Sequence, residues 1–227
     1  MTHSGQRVAL ALACILLHAA SACAGGQATP ARAITPLPRP GVVADTNASG
    51  LIPAGYGSLK QDDVAIKFQL PDVLLKMTPL EENVIRALSV DSYRALHGIA
   101  ESHKAAVARQ AAQHGQLHGS LWYVSFYGLA PDARFSPQEV TIKSAGQEYR
   151  PLEILPLTGG FGEQRLQPRM TQTALYLFDD GLDVNQPLVV TFGTERNEGW
   201  SGILTAIERE RALVRSRAAS SPAPKLP

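Results

Sequence analysis

Six residues of this chain carry metal-ligand chemistry at short spacings. His114 and His118 stand four apart, which on a helix places two imidazoles one turn apart on the same face. Zinc hydrolysis would also need a glutamate beside the first histidine as general base, and that position is Gly115. The pair therefore fits metal capture or exposed loop histidines, not a zinc protease. Asp179, Asp180, Asp183 and Asn185 crowd hard oxygen ligands into one turn. Calcium takes about six to eight oxygens, but no glutamate closes this loop and Gly181 sits at its third position. A polar turn between strands is the competing reading, because Asp, Asn and Gly supply turn geometry.

Two further groups could bind without reacting. Trp122, Tyr123 and Tyr127, with Phe126 among them, form an aromatic run that could line a sugar- or peptide-binding face. Strand alternation would send half of it into the core. Arg211 and Arg215 share a helix face and could meet an anionic lipid or a cell-wall carboxylate. Glu208 and Glu210 interleave with them, as on a solvated face. Gly199-Trp200-Ser201-Gly202 begins like a nucleophile elbow, but Ile203 stands where the second glycine belongs. No catalytic set and no cofactor are expected from these spacings.

The elements that must position these groups follow from periodicity. Val64, Ile66, Phe68 and Leu70 alternate with smaller or polar residues, as do Val73, Leu75 and Met77. Thr78-Pro79-Leu80-Glu81 reads as a capping box with proline at the first helical position, opening a short helix. Asp91 can cap a second helix that Gly115 ends. From Ser120 the chain turns to strands at 121–127, 140–142, 148–155, 171–178 and 188–192, with a hairpin turn at Ala145-Gly146. After Gly199 the period is helical again. The fold class is therefore α+β: mainly an antiparallel β-sandwich, Ig-like, with a helical insertion over 79–114 and a C-terminal helix. The expected division is a leader over 1–23, a Pro/Ala/Gly tether over 24–50, one domain over 51–217 and a disordered tail over 218–227.

Residues 1–7 are polar with one positive charge, and 8–20 are apolar but too short to span a bilayer, which takes about 20 apolar residues. Small residues follow, the layout of a secretory signal. Both cysteines, Cys14 and Cys23, lie here, so the domain must stand without disulfides. Ala20-Ser21-Ala22-Cys23 resembles the lipobox of a bacterial lipoprotein signal. That resemblance covers the leader alone. It implies that Cys23 becomes the lipidated first mature residue, that acyl chains anchor the chain, and that the outer membrane facing the periplasm is its destination. Ordinary cleavage, after Ala22 or after Ala24 since both Ala20-Ser21-Ala22 and Ala22-Cys23-Ala24 fit the small-x-small rule, giving a free periplasmic or secreted protein, is the alternative.

Charge narrows the partners. The chain has 21 basic and 20 acidic residues, and Arg7 leaves with the leader, so no global field draws nucleic acid. The expectation is a cell-envelope lipoprotein: a non-enzymatic binding or assembly module whose partners are the membrane, through its lipid, and an envelope protein or cell-wall polymer. The alternatives are a metal-dependent or other hydrolase with a site assembled from scattered residues, and a structural component of a secretion or envelope complex.

Overall fold

The computed structural model describes residues 50–220. The leader with Cys23, nearly all of the tether and the last seven residues lie outside that range. In chain order the described elements begin with strands β1 (Ile66–Gln69) and β2 (Val73–Pro79), then helices α1 (Glu82–Ile85) and α2 (Val90–Gln113). Strands β3 (Ser120–Gly128), β4 (Ala133–Arg134), β5 (Val140–Ser144), β6 (Gln147–Tyr149) and β7 (Glu153–Pro156) follow. The chain continues through β8 (Arg165–Leu166), β9 (Thr171–Phe178), β10 (Leu188–Phe192) and β11 (Glu195–Asn197) to helix α3 (Trp200–Ser220).

The architecture is α+β, and the paired strands are antiparallel. One sheet runs β1-β2-β3-β9-β7, a second β11-β10-β5-β6, and β4 pairs with β8 alone. Period-two alternation explains the larger sheet. Trp122, Val124 and Phe126 of β3 are fully buried, while Leu121, Tyr123, Ser125 and Tyr127 between them are half-buried. Their β9 partners on the inner face are Tyr176, Ala174 and Gln172. Val140, Ile142, Leu188, Val190 and Phe192 of the second sheet join the same apolar cluster. Phe192 makes the crossing contact, with ring centroids 5.9 Å from Phe126 and 6.2 Å from Phe68. Edge-on and tilted aromatic pairs of this kind add stability beyond the area they bury.

The helices close the ends and one face. Leu175 and Leu177 point away from the inner face, yet both are fully buried. Tyr93, Leu96 and Ala111 of α2 are buried, and His114 just past its end lies 4.0 Å from Glu153 on β7. So α2 lies against the outer face of the five-stranded sheet. Trp200 opens α3 fully buried, its indole N–H donating to the Val184 carbonyl (2.9 Å) and its ring 5.9 Å from Trp122. No helix among the described residues is long and apolar enough to cross a membrane.

Four local expectations are corrected. Thr78 and Pro79 form no capping box. They continue β2, opposite Tyr123 and Trp122, and the helix begins later with Glu81 as its N-cap. β-Branched Thr78 gains more from sheet pairing than from a four-residue helix, although its buried hydroxyl has no partner among the described residues. Ser89, not Asp91, precedes α2, and Asp91 sits exposed in its first turn. The strand expected over 148–155 is broken by Pro151 into β6 and β7, which belong to different sheets. Finally, α3 extends to Ser220, three residues into the segment expected to be a disordered tail.

Candidate functional site

The aromatic run divides as alternation requires. Trp122 is in the core, where its indole N–H donates to Ser120 Oγ (3.0 Å), so it cannot touch a ligand. Tyr123 is half-buried on the outer face. Tyr127 lies on the same face toward the other end of β3. There it lines an open groove of about 300 Å³ with Leu74, Lys76, Ser125 and Thr171. Sheet register makes this a built surface. Leu74, Tyr127 and Thr171 are direct cross-strand neighbours on β2, β3 and β9, and Lys76 pairs with Ser125 one row on.

One charge in the groove is fixed. Lys76 Nζ donates to both oxygens of Asp62, at 2.9 and 3.2 Å. Those bonds, with a second ion pair from Lys67 at 3.3 Å, hold the Asp62 carboxyl below the usual carboxylate range. The groove thus offers an aromatic plane, an aliphatic neighbour, two hydroxyls and a held ammonium. This combination grips a ring or an extended chain through stacking and edge hydrogen bonds. It contains no paired nucleophile and base. Lys76, Leu74, Ser125 and Thr171 carry no sequence signal of their own; only the strand register gathers them.

The six metal-ligand residues do not converge. His114 is half-exposed and faces Glu153. Asp179 Oδ1 accepts the Gly181 amide (2.9 Å) and its Oδ2 accepts Gln116 Nε2 (2.6 Å). Asp183 Oδ1 accepts both the backbone and side-chain nitrogens of Asn185, each at 2.8 Å. These are side-chain-closed turns, with Asp183 used on its own loop and Asp179 shared between that loop and Gln116 after α2. No group of three His, Cys, Asp or Glu side chains that could hold a metal gathers among the described residues.

His118, Asp180 and Asp183 do share one cleft of about 290 Å³, with Glu81 and Ser120 as its other polar walls. Ser120 Oγ donates to Glu81 Oε1 (2.9 Å) while accepting from Trp122. Burial raises the Glu81 carboxyl above its ordinary value, against the Ser120 bond, and the nearby Asp183 charge adds to the rise. Sequence reasoning assigned Glu81 to a helix cap and passed over Ser120.

The arginine pair is split by burial. Arg211 is 9% exposed, so the solvated face expected for it is corrected. Its guanidinium donates twice to the Asn83 carbonyl (3.0 and 2.7 Å), once to Asn185 Oδ1 (3.2 Å), and to Glu208. It is a strut between α3, α1 and the 179–185 turn. Arg215 remains exposed beside it, on a cleft of about 310 Å³ that Asn83, Asn185 and Glu208 also line. One turn away on α3, Glu210 is buried and accepts the Ser58 amide and hydroxyl (2.8 Å each) and Arg217 Nη1 (2.6 Å). Burial alone would raise its pKa, but the Arg217 and Ser58 bonds together hold it below the usual glutamate range.

No protein-family model, no curated protein and no solved structure matches this chain.

Proposed function

We propose that this chain is a non-enzymatic binding or assembly module held at the cell envelope, and that the groove at Tyr127 is its contact surface for a cell-wall polymer or another envelope protein. The single observation that carries the reading is that groove. A tyrosine, two hydroxyls and an ion-paired lysine are set in register on a stretch of sheet face that α2 leaves open. The two sheets read as the layers of a sandwich, Ig-like in kind, because their inner faces feed one apolar cluster. Such a scaffold holds a surface rigid, which is what a binding module needs. The lipobox at Cys23 and the Pro/Ala/Gly tether would place the domain at the outer membrane, clear of the headgroups. The mass of the mature N-terminus tests that anchor: a diacylglyceryl adduct on Cys23 supports it, and a bare terminus removes it.

The binding test is co-sedimentation of the mature chain with purified peptidoglycan and, separately, with washed envelope membranes. Wild type should pellet with one of these. Tyr127→Ala should cut retention by about tenfold while leaving the melting temperature within a few degrees, since the ring is at the surface. Equal retention of the variant would remove the groove from the account.

A second reading has one observation behind it. Ser120, Glu81, His118 and Asp183 come from distant parts of the chain into one cleft, and Glu81 has a raised pKa of the kind found at acid–base centres. A hydrolase could be assembled there. Ser120 is only 4% exposed, which is poor access for a nucleophile. Loss of hydrolysis of an envelope substrate in Ser120→Ala, with stability retained, would favour this reading over the first.

A further inference from the structure

Beside the groove, at the start of β9, lies a second cleft of about 420 Å³ that no motif announces. Asp132, Glu163, Arg165, Gln167, Met170 and Gln172 line it, with Gly159 and Gly160 as its floor. We propose that this cleft is a sugar-ring subsite that takes one ring of a neutral glycan chain. This assignment names the ligand class of the binding module proposed above and rests on that reading.

The cleft keeps hydrogen-bond capacity of both kinds. Arg165 Nη2 (3.2 Å) and Gln167 Nε2 (2.9 Å) each spend one N–H on Asp132 Oδ1, and Gln172 Nε2 spends one on the Arg165 carbonyl (3.1 Å), which leaves further N–H groups on the guanidinium and both amides. Acceptors in the cleft are left open too. Asp132 Oδ2 and the Glu163 carboxylate make no hydrogen bond or ion pair among the described residues, and the buried Gln172 Oε1 makes none either. Gln172 itself is only 4% exposed, so its unmet acceptor is costly unless something supplies a donor. Asp132 and Glu163 outweigh Arg165 in the lining, so a phosphate or carboxylate would meet a repelling charge, whereas neutral hydroxyls can both donate and accept. A sugar brings several O–H donors on the edges of one ring, with C–H faces for the Met170 side chain and the bare glycine backbone.

The backbone is shaped for this opening. Four described non-glycine residues have left-handed φ, and three of them border the cleft: Asp132 at 53°, Gln164 at 54° and Arg169 at 67°. Each is an unfavourable conformation for a residue with a side chain and persists where the surroundings enforce it, which is common at ligand sites. Gly160 has φ of 86°. A methyl group on it would stand 3.6 Å from Gln172 Nε2 and 3.8 Å from Glu163 Oε1, so the amide and the carboxylate close on a residue with no side chain. Met170 and Gln172 line the cleft while Thr171 between them lines the groove, so strand alternation puts the two on opposite faces of β9 and the cleft stands as a subsite of its own.

The test is calorimetric titration of the mature full chain with the N-acetylglucosamine tetramer, and with spermidine, calcium chloride and inorganic phosphate as separate probes. Saturable binding of the tetramer that Glu163→Gln weakens at least about tenfold supports the proposal. Glu163 is exposed, so the variant should fold; its melting curve checks this. No binding of the tetramer, equal binding by the variant, or Glu163-dependent binding of spermidine or calcium instead overturns it. Retention on peptidoglycan without tetramer binding overturns the sugar subsite alone and leaves the envelope module standing. Tetramer binding that depends on Glu163, without retention on peptidoglycan or membranes, supports the subsite and sinks the envelope reading.

Discussion

Two glutamates show how environment, not residue type, sets chemistry in this protein. Both have an ordinary pKa of 4.5, and they move in opposite directions. Glu81 is desolvated with one neutral hydrogen bond, so its charged form is disfavoured in the folded state. That cost is fully present above its raised folded pKa and vanishes as pH falls below 4.5. Glu81→Gln should therefore raise the melting temperature at pH 7, with the gain fading toward pH 4; a variant less stable than wild type at pH 7 would contradict this. Glu210 is the reverse case, with a folded pKa held down by Arg217 and Ser58. Its contribution is fully present above 4.5 and is lost as pH falls through the lowered value. Glu210→Ala should cost about 2 kcal/mol at pH 7 in urea denaturation. That figure is less than a wholly buried ion pair would lose, because Arg217 is 40% exposed and can return to water. The gap to wild type should narrow in acid.

At the scale of elements, the loop before β1 matters as much as the strands. Leu59 N–H donates to the Ala87 carbonyl and Ser89 N–H to the Leu59 carbonyl, while Ser58 reaches α3 through Glu210. Gly57 makes this close approach possible: a Cβ there would lie 2.2 Å from the Ala87 carbonyl oxygen. That atom is backbone and cannot swing aside, so Gly57→Ala should cost about 3 kcal/mol by denaturant titration. Nothing in the sequence around Gly57 announces this contact, because its partner is 30 residues away. What was legible is what depends on local period: the inward and outward alternation of β3, the long helix α2, and the hairpin at Ala145-Gly146, both of which take positive φ. Thr78 to Glu81 misled because a capping-box pattern and a strand end share the same residues, and sheet pairing with β3 decided between them. The candidate site was half legible for the same reason. Tyr127 is visible in a strand pattern, whereas Leu74, Lys76 and Thr171 join it only through register. Asp132 and Arg165 meet across 33 residues.

For the whole molecule, the balance of charge removes long-range steering, so recognition must rest on short-range contacts at a shaped surface. The groove and the cleft supply two such surfaces at one end of the larger sheet. The clefts beside Glu81 and Arg215 are bordered by residues already spent on internal bonds, such as Arg211 and Asp183. The central claim is that binding happens at the start of β9 and the facing ends of β2 and β3. Amide hydrogen exchange on the mature chain, with and without purified peptidoglycan fragments, tests it most directly. Slowed exchange confined to residues 73–77, 125–132 and 160–173 is the predicted result. Unchanged exchange there, or protection centred on 179–185 or on α3, would contradict the account.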